Sequence, residues 1–473
     1  MIQRFLITTL VLLALLSGCS TSNEEKPEPP ITTTDSTYVV LLHTNDVHGR
    51  IQGFPRLKFI VDSLSEVHDN VYLLSAGDMF SGNPYVDQYD PKGYPMIDLM
   101  NMCEYDVATL GNHEFDYGQA VLKDRIEQAK FPFLCANIID PEFNIGTTSP
   151  GIILKTKNNK SVSIGGLLQV GSNGYPASHP DKMKGLVFEN PLANYAKYKA
   201  LIPDGDIRIM LTHLGHNADK TLANKDQSLH LIIGGHSHTK LKQPIKQGNV
   251  YVAQAASNLN YVGYEEVLLK EGVFSLKKAG LYSLSDELSY NQEVKKKVEQ
   301  YENNSYFTDP IGTMAAEIYS SEYVGYVMTD SWRSELNADM AFQNSGGIRY
   351  GKIPAGDITR AQIFTIDPFS NQAVTFKLSY SELYQFLRDN TDLVPSGVHI
   401  DRRNGGLKLM DTKGNPLDEN KSYTIATSSY VTARRQQSFS FKTHDVTTAE
   451  LTIQYIQKKK TLDYRGIPKR LYR

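Results

Sequence analysis

Residues 111–118 read Gly-Asn-His-Glu-Phe-Asp-Tyr-Gly, a dense polar cluster with a glycine at each end. The cluster follows a short apolar run, Val-Ala-Thr-Leu at 107–110, whose composition predicts a buried strand. In α/β proteins the carboxyl end of such a strand faces the ligand-binding crevice. We therefore interpret Asn112 as a metal ligand, His113 as a catalytic group and Asp116 as the residue that orients the His113 ring.

Four further apolar runs in the N-terminal half end in the same way, at 38–42, 71–76, 207–212 and 229–233. The metal-type residues that follow them are Asp46, His48, Asp78, His213, His236 and His238. Helical patterns lie between the runs, and this alternation predicts a largely parallel sheet whose loops converge on one edge. Ten of the 12 histidines lie between His43 and His238, a concentration that core packing does not explain.

The candidate ligands are carboxylates, an amide and imidazoles, without a thiolate. This donor set suits Zn²⁺, Mn²⁺, Co²⁺, Ni²⁺ or Fe²⁺ rather than a structural cysteine–zinc site. With Asn112 the ligands number seven, too many for one catalytic ion and a suitable number for two. A carboxylate such as that of Asp78 can bridge two ions about 3.5–4 Å apart, as in two-metal phosphoryl hydrolysis.

The first 19 residues read as an export signal, because Arg4 precedes an apolar run at 5–16 that is too short to span a bilayer. The run ends in Leu-Ser-Gly-Cys, which resembles the bacterial lipobox and implies lipidation of Cys19; the alternative is a plain secretory signal. Residues 20–37 read as a flexible tether. We therefore expect an exported protein, lipid-anchored at the cell envelope, in the periplasm or on the cell surface.

Composition adds little about partners, since the net charge of −3 favours neither a nucleic-acid polymer nor a membrane surface. Cys103 and Cys135 lie in apolar contexts, which favours two buried thiols over a disulfide. After the last ligand, the runs at 250–255, 261–269 and 274–281 predict antiparallel strands that close the domain.

The strand-end strings resemble the signature of the calcineurin-like metallophosphoesterases. They are Asp-Val-His at 46–48, Gly-Asp at 77–78, Gly-Asn-His-Glu at 111–114, His213, and Gly-His-Ser-His at 235–238. The longer strings at 42–49 and 111–118 are similar to the branch of 5′-nucleotidases and UDP-sugar hydrolases. The resemblance implies a four-layer α/β/β/α sandwich followed by a smaller α/β 5′-nucleotidase C-terminal domain.

The resemblance also implies a role for each residue. One divalent ion (Zn²⁺, Mn²⁺ or similar) would bind Asp46, His48 and His238, a second would bind Asn112, His213 and His236, and Asp78 would bridge them. A metal-bound water would attack phosphorus, while His113 would stabilise the developing charge or protonate the leaving oxygen, with its ring fixed by Asp116. His43 and His216 are expected to be structural, and Glu114 receives no role.

The C-terminal half has a stretch of a different kind, Asn-Ser-Gly-Gly-Ile-Arg at 344–349. Its glycines let the backbone approach a ligand, and its arginine can grip phosphate in a planar fork. Together with 366–379, this stretch resembles the 5′-nucleotidase C-terminal domain, whose loops bind nucleotide. The resemblance implies substrate contacts by Asn344, Gly346, Gly347, Arg349, Phe369 and Tyr430. Without it, the two aromatic residues would read as core residues.

Two departures leave the substrate open. Residues 320–323 lack an arginine that relatives carry, and Ala-Arg-Arg-Gln-Gln-Ser at 433–438 replaces a Gly-Gly-Asp-Gly-type loop. Arg434 and Arg435 could replace the missing phosphate contact or serve a different substrate. The domains are expected at 38–285 and 306–473, joined by a linker helix at 286–305 about which substrate would be carried to the metals.

The sequence thus predicts an exported dimetal phosphohydrolase that releases phosphate from nucleoside 5′-monophosphates. A UDP-sugar, a 2′,3′-cyclic nucleotide or another phosphomonoester is the alternative substrate. The non-enzymatic alternative is a surface protein that keeps the fold and binds a ligand without catalysis. This alternative is disfavoured because His113 and every expected metal ligand are present. The expected partners are a small phosphoester, no nucleic-acid polymer, and the membrane through the lipid anchor only.

Overall fold

The computed structural model describes residues 36–142, 144–146, 148–434 and 440–473. The expected signal segment with Cys19, nearly all of the expected tether, and Arg435 lie outside the described residues. Within the described part of the chain, no helix has the length and apolar character needed to cross a membrane.

The N-terminal half alternates strands and helices along the chain. Its strands are β1 (Ser36–Thr44), β2 (Val71–Ser75), β3 (Val107–Thr109), β4 (Phe133–Leu134), β5 (Ile138–Ile139), β6 (Gly151–Lys155), β7 (Ser161–Leu168), β8 (Val187–Phe188), β9 (Ile207–His213), β10 (Leu231–Gly234), β11 (Ile245–Gln247), β12 (Val250–Ala253), β13 (Tyr261–Lys270) and β14 (Val273–Ser283). Its helices are α1 (Phe54–Ser65), α2 (Pro84–Asp87), α3 (Tyr94–Met102), α4 (Gln119–Gln128), α5 (Tyr195–Lys199), α6 (His216–Lys225) and α7 (Gln292–Glu302).

Two sheets pack face to face in this half. One has the order β14-β13-β1-β2-β3-β4 and the other β11-β12-β10-β9-β7-β6. Alternate residues of β1 point to opposite faces, so Val39 and Leu41 join the layer between the sheets while Val40 and Leu42 meet α1, α3 and α4. Helices α5 and α6 cover the outer face of the second sheet. The predicted α/β/β/α sandwich is confirmed.

The expectation of one largely parallel sheet is wrong in detail, because the ligand-bearing strands divide between the two sheets. Strands β1 to β4 run parallel in the first sheet, and β7, β9, β10 and β12 run parallel in the second. A run that is buried on both faces reads the same in either sheet, so its sequence does not assign it. Of the three expected closing strands, β13 and β14 are antiparallel as predicted, whereas β12 pairs antiparallel with β11 and parallel with β10.

The expected linker helix belongs to the core of the N-terminal half. Helix α7 buries Val294, Val298 and Tyr301 against the cluster that also contains α1 and α3. The Tyr301 hydroxyl donates a hydrogen bond of 2.6 Å to the Asp98 carboxylate on α3. The remaining face of α7 is largely exposed and charged, as predicted. Any rotation between the halves would therefore have to pivot beyond the end of α7.

The C-terminal half is a smaller mixed α/β arrangement. Its strands are β15 (Pro310–Met314), β16 (Met340–Asn344), β17 (Gly356–Thr359), β18 (Gln372–Ser379), β19 (Leu393–Ser396), β20 (His399–Asp401), β21 (Lys408–Met410), β22 (Ser422–Ser428), β23 (Lys442–Thr447), β24 (Thr461–Leu462) and β25 (Leu471–Tyr472). Its helices are α8 (Ser305–Thr308), α9 (Ser321–Glu335), α10 (Arg360–Ile366), α11 (Tyr380–Asp389), α12 (Ser429–Arg434) and α13 (Thr448–Lys459).

The main sheet of this half has the order β19-β16-β22-β18-β23. Three of its helices begin at capping boxes, at Thr359, Ser379 and Thr447. In each box the capping hydroxyl accepts the backbone N–H of the third helical residue, whose side chain accepts the backbone N–H of the capping residue. Trp332 on α9 is buried and donates its indole N–H to the Thr448 carbonyl at 2.9 Å. The expected substrate residues lie at or just after the ends of β16, α10 and β22.

Candidate active site

All seven expected metal ligands lie at or just after the carboxyl ends of parallel strands, and five of them have an unusual backbone conformation. The backbone takes positive φ values at Asp46 (51°), His48 (50°), Asp78 (55°), His236 (74°) and His238 (53°). Left-handed conformations are uncommon for such residues, and strained backbone clusters at functional sites. The fold therefore holds these side chains in positions that a relaxed loop would not give them.

The first ligand group comprises Asp46, His48 and His238. Asp46 Oδ1 lies 3.3 Å from His238 Nε2, and the two Nε2 atoms of His48 and His238 are 3.1 Å apart. Asp46 is fully buried, whereas the His238 side chain is 38% exposed. This group contains the three residues expected for one ion.

The second ligand group comprises Asp78, His213 and His236, with Asn112 against it. Asp78 Oδ2 lies 3.0 Å from His213 Nε2, and the His236 Nδ1 atom is 2.9 Å from Asn112 Oδ1. His213 Nε2 is also 3.9 Å from Asp46 Oδ1, so the two groups adjoin. Asp78 lies beside both, as a bridging carboxylate requires.

The donor atoms fit divalent cations. His48 and His213 each place Nδ1 near a backbone carbonyl, at 3.3 Å from Phe80 O and 2.7 Å from Ala76 O. An Nδ1–H directed at a carbonyl leaves the Nε2 lone pair facing the carboxylates, the usual orientation of a metal-binding imidazole. Among the described residues, the ion pairs of the buried Asp46 and Asp78 are with imidazoles alone. Buried carboxylates that face lone pairs require positive charge between them.

His113 and Asp116 form a hydrogen-bonded pair beside these groups. His113 Nδ1 is 2.6 Å from Asp116 Oδ2, while His113 Nε2 is 4.0 Å from Asp78 Oδ2. Burial lowers the pKa of His113, but the charges of Asp116 and Asp78 outweigh burial and raise that pKa above its ordinary value. Burial likewise raises the pKa of Asp116, and His113 more than reverses this effect. Asp116 therefore orients the ring.

Glu114, to which the sequence assigned no role, fastens two ligand loops together. Its buried carboxylate accepts hydrogen bonds from the backbone N–H groups of Asp78 (2.8 Å), Met79 (2.7 Å) and Gly111 (2.5 Å). A side chain at Gly111 would collide with the Asp78 carboxylate, which explains the glycine. The motif at 111–118 thus positions Asp78 as well as supplying its own ligands.

The expected substrate residues meet the metal ligands in one cavity of about 390 Å³. The cavity is lined from the N-terminal half by Asp78, Asn112, His113, Asp116, Ala177, Ser178, His179, Lys182, His236, Ser237 and His238. From the C-terminal half it is lined by Asn344, Gly346, Gly347, Arg349, Phe369, Asn371 and Tyr430. Every expected substrate residue is present in this lining.

Arg349 and Phe369 reach across to the catalytic side of the cavity. Arg349 Nη2 lies 3.2 Å from His48 Nε2, and the guanidinium carbon is 5.8 Å from the centre of the Phe369 ring. The Phe369 ring is stacked on the His113 ring, with 5.8 Å between centres and 20° between planes. Tyr430 lies farther along the cavity, 6.3 Å from the ring of His179.

Some cavity residues had no signal in the sequence. Ser178, His179 and Lys182 come from the loop and short 3₁₀ helix (Pro180–Met183) that follow β7, and Asn371 follows Phe369. The first three belong to no recognisable motif, because they reach the cavity only through folding of a long connection. Asn371, in contrast, lies within the stretch 366–379 that carries the family resemblance. The hydrogen bond from Ser178 Oγ to Asp116 Oδ1, at 2.7 Å, marks this loop as part of the site.

Two further histidines and the two cysteines lie away from the cavity lining. His43 is buried with Nε2 3.4 Å from the Glu265 carboxylate, away from the cavity lining. His216 begins α6 and also lies outside that lining. Cys103 and Cys135 are buried and not bonded to each other, as predicted. Of the two arginines offered as a replacement phosphate contact, Arg435 lies outside the described residues.

The comparisons with known families divide the chain as the sequence suggests. Residues 39–240 match the calcineurin-like phosphoesterase family, and residues 308–443 match the 5′-nucleotidase C-terminal domain. The chain is 28% identical to the trifunctional nucleotide phosphoesterase protein YfkN of Bacillus subtilis, over 79% of this chain but only 29% of that protein. It is 26% identical to protein UshA of Escherichia coli, over 91% of this chain and 92% of that protein.

Solved structures of 5′-nucleotidases have a similar fold. A 5′-nucleotidase precursor from Thermus thermophilus superposes with a TM-score of 0.80 at 23% identity, covering 92% of this chain and 99% of that one. The family uses two divalent metal ions, which the clustered Asp and His side chains fit. Residues 39–240 therefore belong to the calcineurin-like phosphoesterases and residues 308–443 to the 5′-nucleotidase C-terminal domains, and the chain is a metal-dependent phosphoester hydrolase.

Proposed function

We propose that the protein is an exported 5′-nucleotidase that releases phosphate from nucleoside 5′-monophosphates. The observation that carries this proposal is the shared cavity, in which the metal-ligand groups face Arg349, Phe369 and Tyr430. A phosphate at the ligand groups would leave a nucleoside within reach of the two aromatic rings. A phosphomonoester without a base would leave those rings unused.

Asp46, His48 and His238 would hold one divalent cation, and Asn112, His213 and His236 the other, with Asp78 between them. When bound, the two ions supply Lewis-acid polarisation of a phosphoryl oxygen and acidify a water molecule. The chain fixes the donor atoms in advance through the backbone of the ligand loops and through the Glu114 hydrogen bonds. Preorganised ligands avoid a reorganisation cost during the reaction.

His113 would act on the phosphoryl group or on the leaving oxygen. Its Nε2 atom faces Asp78 and the cavity, while Nδ1 is occupied by Asp116. An imidazolium at this position can stabilise developing negative charge and can donate its Nε2 proton to the departing nucleoside oxygen. Asp116 would maintain the ring orientation and the positive charge.

Arg349 would contact phosphate, with Asn344 and the backbone at Gly346 and Gly347 contributing to the same wall. Phe369 and Tyr430 would contact the base, since stacking on an aromatic ring is worth about 1–3 kcal/mol per base. Because stacking tolerates any base, this arrangement favours nucleotides as a class over one particular nucleotide.

The test is phosphate release by the protein loaded with Mn²⁺ or Zn²⁺. The panel contains AMP, UDP-glucose, 2′,3′-cyclic AMP and ribose 5-phosphate. The proposal expects the highest kcat/KM for AMP and loss of all activity after chelation. Absence of turnover of every nucleotide would refute it.

The same panel tests the alternatives. YfkN is named as a trifunctional nucleotide phosphoesterase, which favours a broader nucleotide activity as the second candidate. A kcat/KM for UDP-glucose or 2′,3′-cyclic AMP above that for AMP would select this candidate. Nucleotide binding without turnover in the metal-loaded protein would select a binding protein instead.

Export and lipid anchoring through Cys19 complete the proposal. They rest on the sequence of the first 19 residues and on its resemblance to the bacterial lipobox. Metabolic labelling with a fatty acid should mark the wild-type protein and leave Cys19→Ala unlabelled. A labelled, membrane-bound Cys19→Ala protein would refute the anchor.

A further inference from the structure

The loop at 177–182, named here the bridging loop, contacts both halves of the cavity. It lies between β7 and β8 and ends in the 3₁₀ helix Pro180–Met183. Four of its residues line the cavity: Ala177, Ser178, His179 and Lys182. Neither the sequence motifs nor the roles described above involve this loop.

Towards the N-terminal half, the bridging loop fixes Asp116. The two carboxylate oxygens of Asp116 have separate partners, because Oδ2 faces His113 Nδ1 at 2.6 Å and Oδ1 accepts the Ser178 hydroxyl at 2.7 Å. Lys182 donates its ammonium to the Asp116 backbone carbonyl. The neighbouring Asn112 donates its amide to the Ala177 carbonyl at 3.2 Å. The loop therefore holds both the side chain and the backbone of the residue that orients His113.

Towards the C-terminal half, the bridging loop touches the start of α12 through His179. The Nδ1 atom of His179 accepts the backbone N–H of Asp181 at 3.2 Å, which makes Nε2 the proton-bearing nitrogen of the neutral ring. The ring also hydrogen-bonds to the backbone of Ser429, and its centre lies 6.3 Å from that of Tyr430. Burial and Lys182 lower the pKa of His179, in keeping with a neutral ring.

We propose that the bridging loop positions the catalytic pair and links its geometry to the docking of the Tyr430 side of the cavity. Ser178 and Lys182 are positioning residues for Asp116. The contacts of His179 with Ser429 and Tyr430 make the loop conformation depend on the position of α12. A substrate that engages Tyr430 seats α12 and, through His179, tightens the loop around Asp116. The orientation of His113 thereby depends on the nucleoside part of the substrate. This inference rests on the proposed function.

The test compares kcat and KM for AMP and for ribose 5-phosphate, a phosphomonoester without a base. Freeing one oxygen of Asp116 should loosen the His113 ring, so Ser178→Ala should lower kcat by about 10- to 100-fold for both substrates with KM little changed. Ser178→Thr retains the hydroxyl and should recover most of the loss. His179→Ala should lower kcat for AMP several-fold more than it lowers kcat for ribose 5-phosphate.

The outcomes separate this inference from the proposed function. Wild-type protein that hydrolyses neither substrate refutes both. Active wild-type protein with an unchanged kcat in Ser178→Ala refutes the positioning role alone, and an equal loss on both substrates in His179→Ala refutes the link to the nucleoside. If Ser178→Ala does not fold, Ser178→Thr and Ser178→Cys decide, because only the variant that keeps the hydroxyl should keep a wild-type kcat.

Discussion

The two halves of the cavity are built in different ways. Metal-type side chains of the N-terminal half are mostly buried, come from strained strand ends and are fastened to one another, as when Glu114 accepts from three backbone N–H groups of two loops. In the C-terminal half, Arg349, Phe369 and Tyr430 are only partly buried. The side chains of Arg349 and Phe369 contact His48 and His113 of the opposite half and each other. This contrast agrees with the proposal that the N-terminal half holds a preformed centre for chemistry and that the C-terminal half recognises the substrate.

The largest effect should come from the preformed centre. Asp78→Asn removes the charge beside both ligand groups, so kcat/KM should fall by about 10³-fold or more, and equally for AMP and ribose 5-phosphate. Metal analysis should show fewer than two ions per chain. The exposed control Asp69→Asn should match the wild type. Near wild-type activity in Asp78→Asn would contradict the assignment of chemistry to this half.

His113 should come next. His113→Ala should lower kcat by about 10²–10⁴-fold with KM little changed, because general acid catalysis acts on the reaction rather than on binding. Asp116→Asn should cost less, about 10- to 100-fold, since it disturbs only the orientation and charge of the ring. Unlike Asp78→Asn, both variants should retain their metal content. Full activity in His113→Ala would overturn the mechanism.

A smaller and selective effect is expected in the C-terminal half. Phe369→Leu removes the ring stacked beside His113 and should raise KM for AMP by about tenfold, the equivalent of one lost stacking contact. Hydrolysis of ribose 5-phosphate should be unaffected. Phe441→Leu, at an exposed phenylalanine that does not line the cavity, is the matched control. Equal losses on both substrates would show that recognition is not separate from chemistry.

The smallest effect concerns the loop that carries Phe369. Asp367 is buried at its start, its Oδ2 atom accepts the Thr448 hydroxyl at 2.6 Å, and burial raises its pKa to about 7. Because the unfolded pKa is about 3.9, the stability from the neutral carboxyl is complete below about pH 4 and is lost as the pH rises through about 7.

The asparagine side chain in Asp367→Asn is neutral at every pH, so the Tm of this variant should exceed the wild-type Tm at pH 8. We expect a rise in Tm of about 2–4 °C, which corresponds to roughly 1 kcal/mol of unfolding free energy for a segment the size of the C-terminal half. The advantage should shrink towards pH 5, where the wild-type carboxyl is protonated in the folded state. The exposed Asp389→Asn is the control. A pH-independent difference in Tm would contradict the neutral state of Asp367.

The sequence reveals the preformed centre well, for a physical reason. Each ligand follows its strand directly, so the strand's position fixes the ligand's position without knowledge of the rest of the fold. Gly111 and Asp78 illustrate this, because the close approach of their loops needs a glycine that is visible in the sequence. The division of the strands between two sheets was not visible, since all of them are buried on both faces.

The recognition side is less visible in the sequence. Phe369 and Tyr430 read as core residues without a family resemblance, because an aromatic side chain carries no local sign of exposure to a ligand. Ser178 and Lys182 carried no signal, as their contacts with Asp116 span 62 and 66 residues of chain. Glu114 stands within a motif, yet two of the three backbone groups that it binds lie after another strand. Long-range contacts of this kind arise only from the fold.

The ratio of kcat/KM for AMP to that for ribose 5-phosphate, measured on the metal-loaded wild-type protein, tests the central claim most directly. The two substrates share the phosphoryl group and the ribose and differ in the base. If the preformed centre performs the chemistry and the aromatic residues recognise the base, both substrates should release phosphate and the ratio should be about ten or more. A ratio near one, or no phosphate released from AMP, would contradict the account.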